Sequence, residues 1–116
     1  MTDNPTINSV VFTLSFKDSD KSLRQSNARG INTPDRMIVQ SQPYTDSVTK
    51  VAGTRYALKF ERHDLDATSQ KIISTATVTF AVPETVTTVQ YDVLVATLKA
   101  AVAHADYIAA ALNNEK

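Results

Sequence analysis

The residues best suited to chemistry in this chain are cations and neutral hydrogen-bonding groups separated by even numbers of positions. They run Arg36, Gln40 and Gln42, then Arg55 and Lys59, then Lys71, Thr75, Thr77 and Thr79. Even spacing puts side chains on one face of a β-strand, about 7 Å apart for each step of two. Cations suit phosphate, while Thr and Gln suit base edges and ribose hydroxyls, so together they describe a platform for nucleic acid. An ordinary solvated sheet face has a similar composition, because Thr is favoured in strands and Lys and Arg confer solubility. By composition alone the solvated face is the simpler reading. Few aromatics fall on this face, so a base-stacking platform is not evident.

Other chemistry is poorly represented. The chain has no Cys, which removes disulfides, thiolate metal sites and Cys nucleophiles. Gly30 and Gly53 are its only glycines, so there is no Gly-rich phosphate loop. His63 beside Asp64 and Asp66 reads as solvated charge in a polar loop at a strand end. Asp18 and Asp20 read as a turn, and His104 and Asp106 as helix surface or a partner contact. Neither a catalytic centre nor a cofactor is expected.

Two segments must position the polar residues, and they meet at Pro83. Residues 7–82 read as strands and turns; residues 84–112 lack Gly and Pro and are dense in Ala, Val and Leu. Ten basic and eight acidic residues precede Pro83, while two and four follow it, so the first part is mildly basic and the second mildly acidic. At 116 residues one domain is expected over 1–116. The opening MTDNPTINSV lacks the features of a signal peptide, and no apolar run reaches the roughly 18 residues of a membrane span. A soluble protein, made without export and with no membrane partner, is expected.

Alternation predicts the strands. In residues 9–17, Val10, Phe12, Leu14 and Phe16 share one face, and Val11, Thr13, Ser15 and Lys17 the other. A polar turn at 18–21 and a return strand at 22–27 complete a hairpin over 9–27. Residues 36–42 form the next strand, ended by Pro43, and a polar loop runs to Gly53. Residues 54–63 and 70–82 add two strands, making a meander over 36–82. Each of these three has an apolar face and a face of Arg, Lys, Gln and Thr. Thr87 and Gln90 have the spacing of a capping box, which starts a helical segment over 87–112.

Strands first and helix last predict an α+β fold, an antiparallel sheet with the helical tail packed on its apolar face. No other cover for that face is apparent. A straight helix over 88–112 would run about 37 Å at 1.5 Å per residue, longer than a sheet of five or six strands is wide. Either it breaks near His104 or it overhangs onto a second subunit. An intertwined two-fold dimer, with sheets meeting edge to edge, would bury the overhang and protect the edges.

The order hairpin, meander and helical tail resembles the coat proteins of small single-stranded RNA bacteriophages of levivirus type. The segments RMIVQSQ and TRYALKFERHD carry the resemblance, with the Thr-rich strand that runs into VPETVTTVQYDVLVATLKAAV. It implies dimers that close an icosahedral capsid, helices outward and polar sheet inward, around packaged genomic RNA, the protein itself being made in the bacterial host cytoplasm and placed in the virion. It also implies binding of an operator-type hairpin, which would repress translation. By position, Arg55, Lys59 and Lys71 would neutralise phosphate, with Arg36 beside them. Gln40, Thr75 and Thr77 would meet bases, and Ile38 and Ala57 would line a base pocket. Residues 64–69 would be the loop that meets neighbours around symmetry axes. The competing reading is a small dimeric interaction or regulatory module that uses the same face and builds no capsid.

Overall fold

The structure is a computed structural model and describes residues 3–104. The chain divides after Pro83 into two compact units, at the position where the sequence changes character.

The first unit has two antiparallel sheets. Strands β1 (Thr6–Ile7) and β2 (Val10–Val11) form a small hairpin. Strands β3 (Thr13–Lys17), β4 (Lys21–Ser26), β5 (Asp35–Thr45), β6 (Ala52–Leu65) and β7 (Lys71–Pro83) form a five-stranded meander in chain order. The 9–17 segment is therefore not one strand. It is divided at Phe12, which is buried with Met37 and Val39 against Ile7, Val10, Tyr56, Leu58 and Phe60. The Phe12 and Phe60 rings meet edge to face, with centroids 6.0 Å apart. The N-terminal residues thus cover part of the apolar sheet face, a cover that the sequence had assigned to the helical tail alone.

A bulge in β3 makes a second correction. Leu14 pairs with Arg24 but Phe16 pairs with Leu23, so one extra residue is absorbed between them. A single inserted residue reverses the side-chain phase. Leu14 stays on the apolar face, Phe16 turns to the polar face, and Lys17 turns to the apolar side, where its Nζ lies 3.9 Å from Asp3 Oδ1. The hairpin β3–β4 is also continuous with the meander, since β4 pairs with β5 from Lys21↔Gln40 to Ser26↔Asp35.

Pro43 does not end its strand, which runs on to Thr45. The Ser41 N–H donates to Asp20 O at 2.8 Å, so N–H groups of this parity point towards β4. Pro43, two residues on, points the same way, but β4 has already ended its pairing at Lys21↔Gln40. No ladder bond is lost there, which is the edge position that Pro tolerates. The loop expected over 43–53 shrinks to the turn between β5 and β6. Asp46 Oδ1 accepts from the N–H groups of Val48 and Thr49, both at 2.8 Å. Gly53 lies inside β6, where a Cβ would sit 2.4 Å from Val82 O and 2.9 Å from Tyr44 Cε1.

The second unit contains α1 (Thr88–Ala103). Its capping box forms as the sequence predicts: the Gln90 N–H donates to Thr87 Oγ1 at 3.2 Å, and the Thr87 N–H donates to Gln90 Oε1 at 3.0 Å. The helix ends at its C-cap His104, near which a break was one of the two alternatives. The expected continuation to residue 112 lies outside the described residues. No residue of α1 is buried, and Val89, Val93, Leu94 and Val102 are exposed.

Candidate nucleic-acid interface

Register across the meander decides which side chains share a face, because directly paired residues point the same way. Four rows cross β5, β6 and β7: Arg36–Glu61–Thr75, Ile38–Lys59–Thr77, Gln40–Ala57–Thr79 and Gln42–Arg55–Ala81. Strand β4 extends three of them with Gln25, Leu23 and Lys21. All nine residues named from the sequence (Arg36, Ile38, Gln40, Arg55, Ala57, Lys59, Lys71, Thr75 and Thr77) lie on this one face. Eight fall in the four adjacent rows. Lys71 is apart: it pairs with Leu65 beside the β6–β7 turn, about 13 Å along the strand from Thr75.

The rows are also graded in exposure. Arg36, Ile38, Gln40, Ala57 and Lys59 are half-buried, whereas Arg55, Lys71, Thr75 and Thr77 are exposed. Among the residues of β3–β7, this face carries the cations Lys21, Arg36, Arg55, Lys59 and Lys71 against a single carboxylate, Glu61. Glu61 Oε1 lies 3.7 Å from Lys59 Nζ, so it offsets part of that charge. The Arg36 Nε–H donates to Gln25 Oε1 at 3.1 Å, which holds the guanidinium along the sheet.

Several members of the face escaped the sequence reading. Phe16, half-exposed, arrives through the bulge, next to Leu23 in the row of Ile38 and Lys59. Tyr44 arrives because β5 continues past Pro43, and it pairs with Gly53. The Arg55 guanidinium carbon stands 5.1 Å from the Tyr44 ring centroid, a cation–π distance. The polar face therefore carries more aromatic surface than alternation alone indicated. An alternation count continued through Pro43 would have found Tyr44; no local signal marks the bulge.

The His63 region differs from the solvated loop read from sequence. His63 is within β6 and only 2% exposed. Its Nε2 lies 3.5 Å from Glu61 Oε2, and among the described residues neither ring nitrogen makes a hydrogen bond. Asp64 points to the opposite face, as adjacent strand residues do. Arg29 ties the region together: it donates to both Asp35 carboxylate oxygens at 2.9 and 3.1 Å, to Asp64 Oδ1 at 2.9 Å and to His63 O at 3.1 Å. Burial acts to raise the Asp64 pKa, but Arg62 and Arg29 outweigh it and hold the carboxyl below its ordinary value. Among the described residues no three His, Asp or Glu side chains come together as a metal site.

Comparison with known proteins now bears on this arrangement. Neither a protein-family model nor a curated protein sequence matches the chain. Solved structures do. The virus-like particle of Wenzhou levi-like virus 1 superimposes at a TM-score of 0.60 with 13% identity, over 99% of this chain and 98% of that one. The virus-like particle of bacteriophage AVE015 gives the same TM-score and identity over 84% of this chain and 70% of that one. The chain has the fold of a levi-like particle subunit. That fold is the one the hairpin, meander and tail resembled, and it is shared at 13% identity.

Proposed function

We propose that this chain is a coat protein that pairs with a second copy, assembles into an icosahedral capsid and holds genomic RNA against its polar sheet face. The observation that carries the reading is the likeness to the levi-like virus 1 particle over nearly the full length of both chains. Two features of the chain support a partner of its own kind. Strand β7 is an edge with residues 71–77 all exposed, a template for another strand unless it is paired. Helix α1 has apolar side chains but buries none of its residues. A second copy satisfies both.

The RNA side of the reading rests on the polar face. Five cations and one carboxylate favour a polyanion, and the interspersed Gln and Thr groups can meet bases and ribose. Arg36, Arg55, Lys59 and Lys71 neutralise phosphate; Gln40, Thr75 and Thr77 meet base edges; Ile38 and Ala57 line the floor between them. A hairpin bound there within the virus's own message would also repress its translation. The protein's place is then the virion, after synthesis in the bacterial cytoplasm, and its work is structural rather than catalytic.

Expression of the chain and analysis by electron microscopy and sedimentation test this directly. Closed particles that sediment fast and absorb as nucleoprotein are expected. A folded species no larger than a dimer, free of nucleic acid, would favour the small interaction module instead.

A further inference from the structure

We propose that Arg24, Lys17 and Ser22 form an oxyanion site on the apolar face of the sheet, beside the β3–β4 turn, which takes a phosphate or a carboxylate group. The site lies on the face opposite the rows of cations, and it stands whether or not those rows hold RNA.

The observation that carries it is a buried cation without an anion. Arg24 is only 1% exposed. Its Nε–H donates to Asp3 O at 3.0 Å and its Nη1–H to Ser22 Oγ at 2.6 Å, and both acceptors are neutral. Among the described residues no carboxylate forms an ion pair with it. The other guanidinium N–H groups, both of those on Nη2 included, have no partner there. A charge withdrawn from water is costly unless an opposite charge meets it.

The surroundings have the room and the charge for that anion. Arg24 lines a cavity of about 210 Å³ together with Lys17, Ser22, Ser41 and Tyr56. One water occupies about 30 Å³ of liquid, so an oxyanion fits with part of its hydration shell. The β3 bulge brings Lys17 to this place, since it pairs with Ser22, two residues from Arg24 on β4. The Lys17 contact with Asp3, at 3.9 Å, joins two exposed side chains and holds the ammonium only weakly. Lys21, Asp18 and Asp20 also line the cavity, so three cations face two carboxylates. Asp18 is engaged in the turn, where its Oδ1 accepts from the N–H groups of Asp20 and Lys21 at 2.8 and 2.7 Å.

A guanidinium matches the paired oxygens of phosphate and carboxylate alike. Two sources share that chemistry: free phosphate, and an acidic side chain of a second copy. Residues 84–116 carry Glu84, Asp92, Asp106 and Glu115 against Lys99 and Lys116, so the second copy has carboxylates to offer.

The test melts the full-length protein in phosphate and in chloride at matched ionic strength and pH. For a free anion, the melting temperature should rise with phosphate and the affinity should saturate, which separates binding from the general stabilisation by excluded salts. Arg24→Gln should weaken that affinity about 10- to 100-fold, as for lost hydrogen bonds from a charged group. Lys17→Gln should weaken it about 2- to 5-fold. The Lys17 side chain is exposed, so this variant reads the site even where Arg24→Gln does not fold. For a carboxylate of a second copy, phosphate should have no saturable effect. A carbodiimide added to mixed labelled and unlabelled protein should then join Lys17 to an acidic residue of 84–116 in the other copy, as read by mass spectrometry. Lys17→Gln should also weaken association in sedimentation. Equal stabilisation by phosphate of the parent and Lys17→Gln, and of Arg24→Gln where it folds, would place the anion elsewhere and overturn the site. So would the absence of both a saturable phosphate effect and a cross-link between copies at Lys17.

Discussion

Strands β5 and β7 carry the same alternation of apolar and polar side chains, yet they occupy opposite environments. Strand β5 is the third of five strands: Met37 and Val39 are buried under the N-terminal segment, and Arg36, Ile38 and Gln40 are half-buried on the other face. Strand β7 is the fifth. Its residues 71–77 are all exposed, with Ile72 at 46% and Ile73 at 52%. The difference does not come from composition. It comes from position in the sheet and from where the N-terminal segment folds down. Burial is concentrated around β4, β5 and β6, and β7 is left largely exposed.

The largest test of that contrast is a pair of truncations. Met37→Ala should cost about 2–5 kcal/mol in denaturant unfolding, because a buried side chain leaves a cavity. Ile73→Ala should cost well under about 1 kcal/mol in the dissociated subunit, as for other exposed positions. Equal costs would mean that β7 is already packed within one copy.

Next in size is Arg24, which is 1% exposed on the covered face. Its Nε–H donates to Asp3 O at 3.0 Å and its Nη1–H donates to Ser22 Oγ at 2.6 Å. Arg24→Ala should destabilise the fold by about 1.5–3 kcal/mol, the range for hydrogen bonds from a charged group. Proteolysis within residues 3–12 should also become faster, since this contact anchors that segment. Unchanged proteolysis would show that its other contacts, such as Phe12 in the core and the Leu14 N–H bond to Asn4 Oδ1, suffice to hold it.

A smaller effect is expected in the second unit. Thr87→Ala removes one half of the capping box and should cost about 1 kcal/mol of helix stability, read as lost helical circular dichroism. The smallest is the response to acid. Backbone N–H groups of Asp20 and Lys21 hold the Asp18 carboxyl below 3.8, and those of Thr49 and Val48 do the same for Asp46. The Thr68 hydroxyl and the Gln70 N–H lower Asp66 likewise. A lowered folded value means stability that is present above the ordinary carboxylate range and is lost as pH falls through the folded values. Thermal melts should therefore change little from neutrality down to about pH 5 and fall below about pH 4. Asp66→Asn should blunt that fall.

Much of the polar face was legible because alternation survives in β5, β6 and β7. Arg36, Gln40, Lys59 and Thr77 needed only a parity count, and register then placed them in adjacent rows. The capping box was legible for a similar reason, as both partners lie within four residues of chain. Phe16 was not legible, because a bulge is a property of two paired strands and only one is read at a time. Tyr44 was hidden by Pro43, whose missing N–H matters only if a neighbour strand is there to need it. His63 looked like loop charge until the β6 register carried it into a buried position.

The sequence by itself determined the succession of strands and helix, the two-faced character of the meander and the set of cations, amides and hydroxyls that its polar face presents. These follow from local periodicity and from which residues the chain contains. Tertiary structure alone decided which strand is central and which is edge. It also decided that residues 3–12 fold onto the apolar face, and that Tyr44, Gly53 and Arg55 meet in one corner. Such outcomes depend on pairing between segments far apart in the chain, and a one-residue shift in pairing moves a side chain from one face to the other.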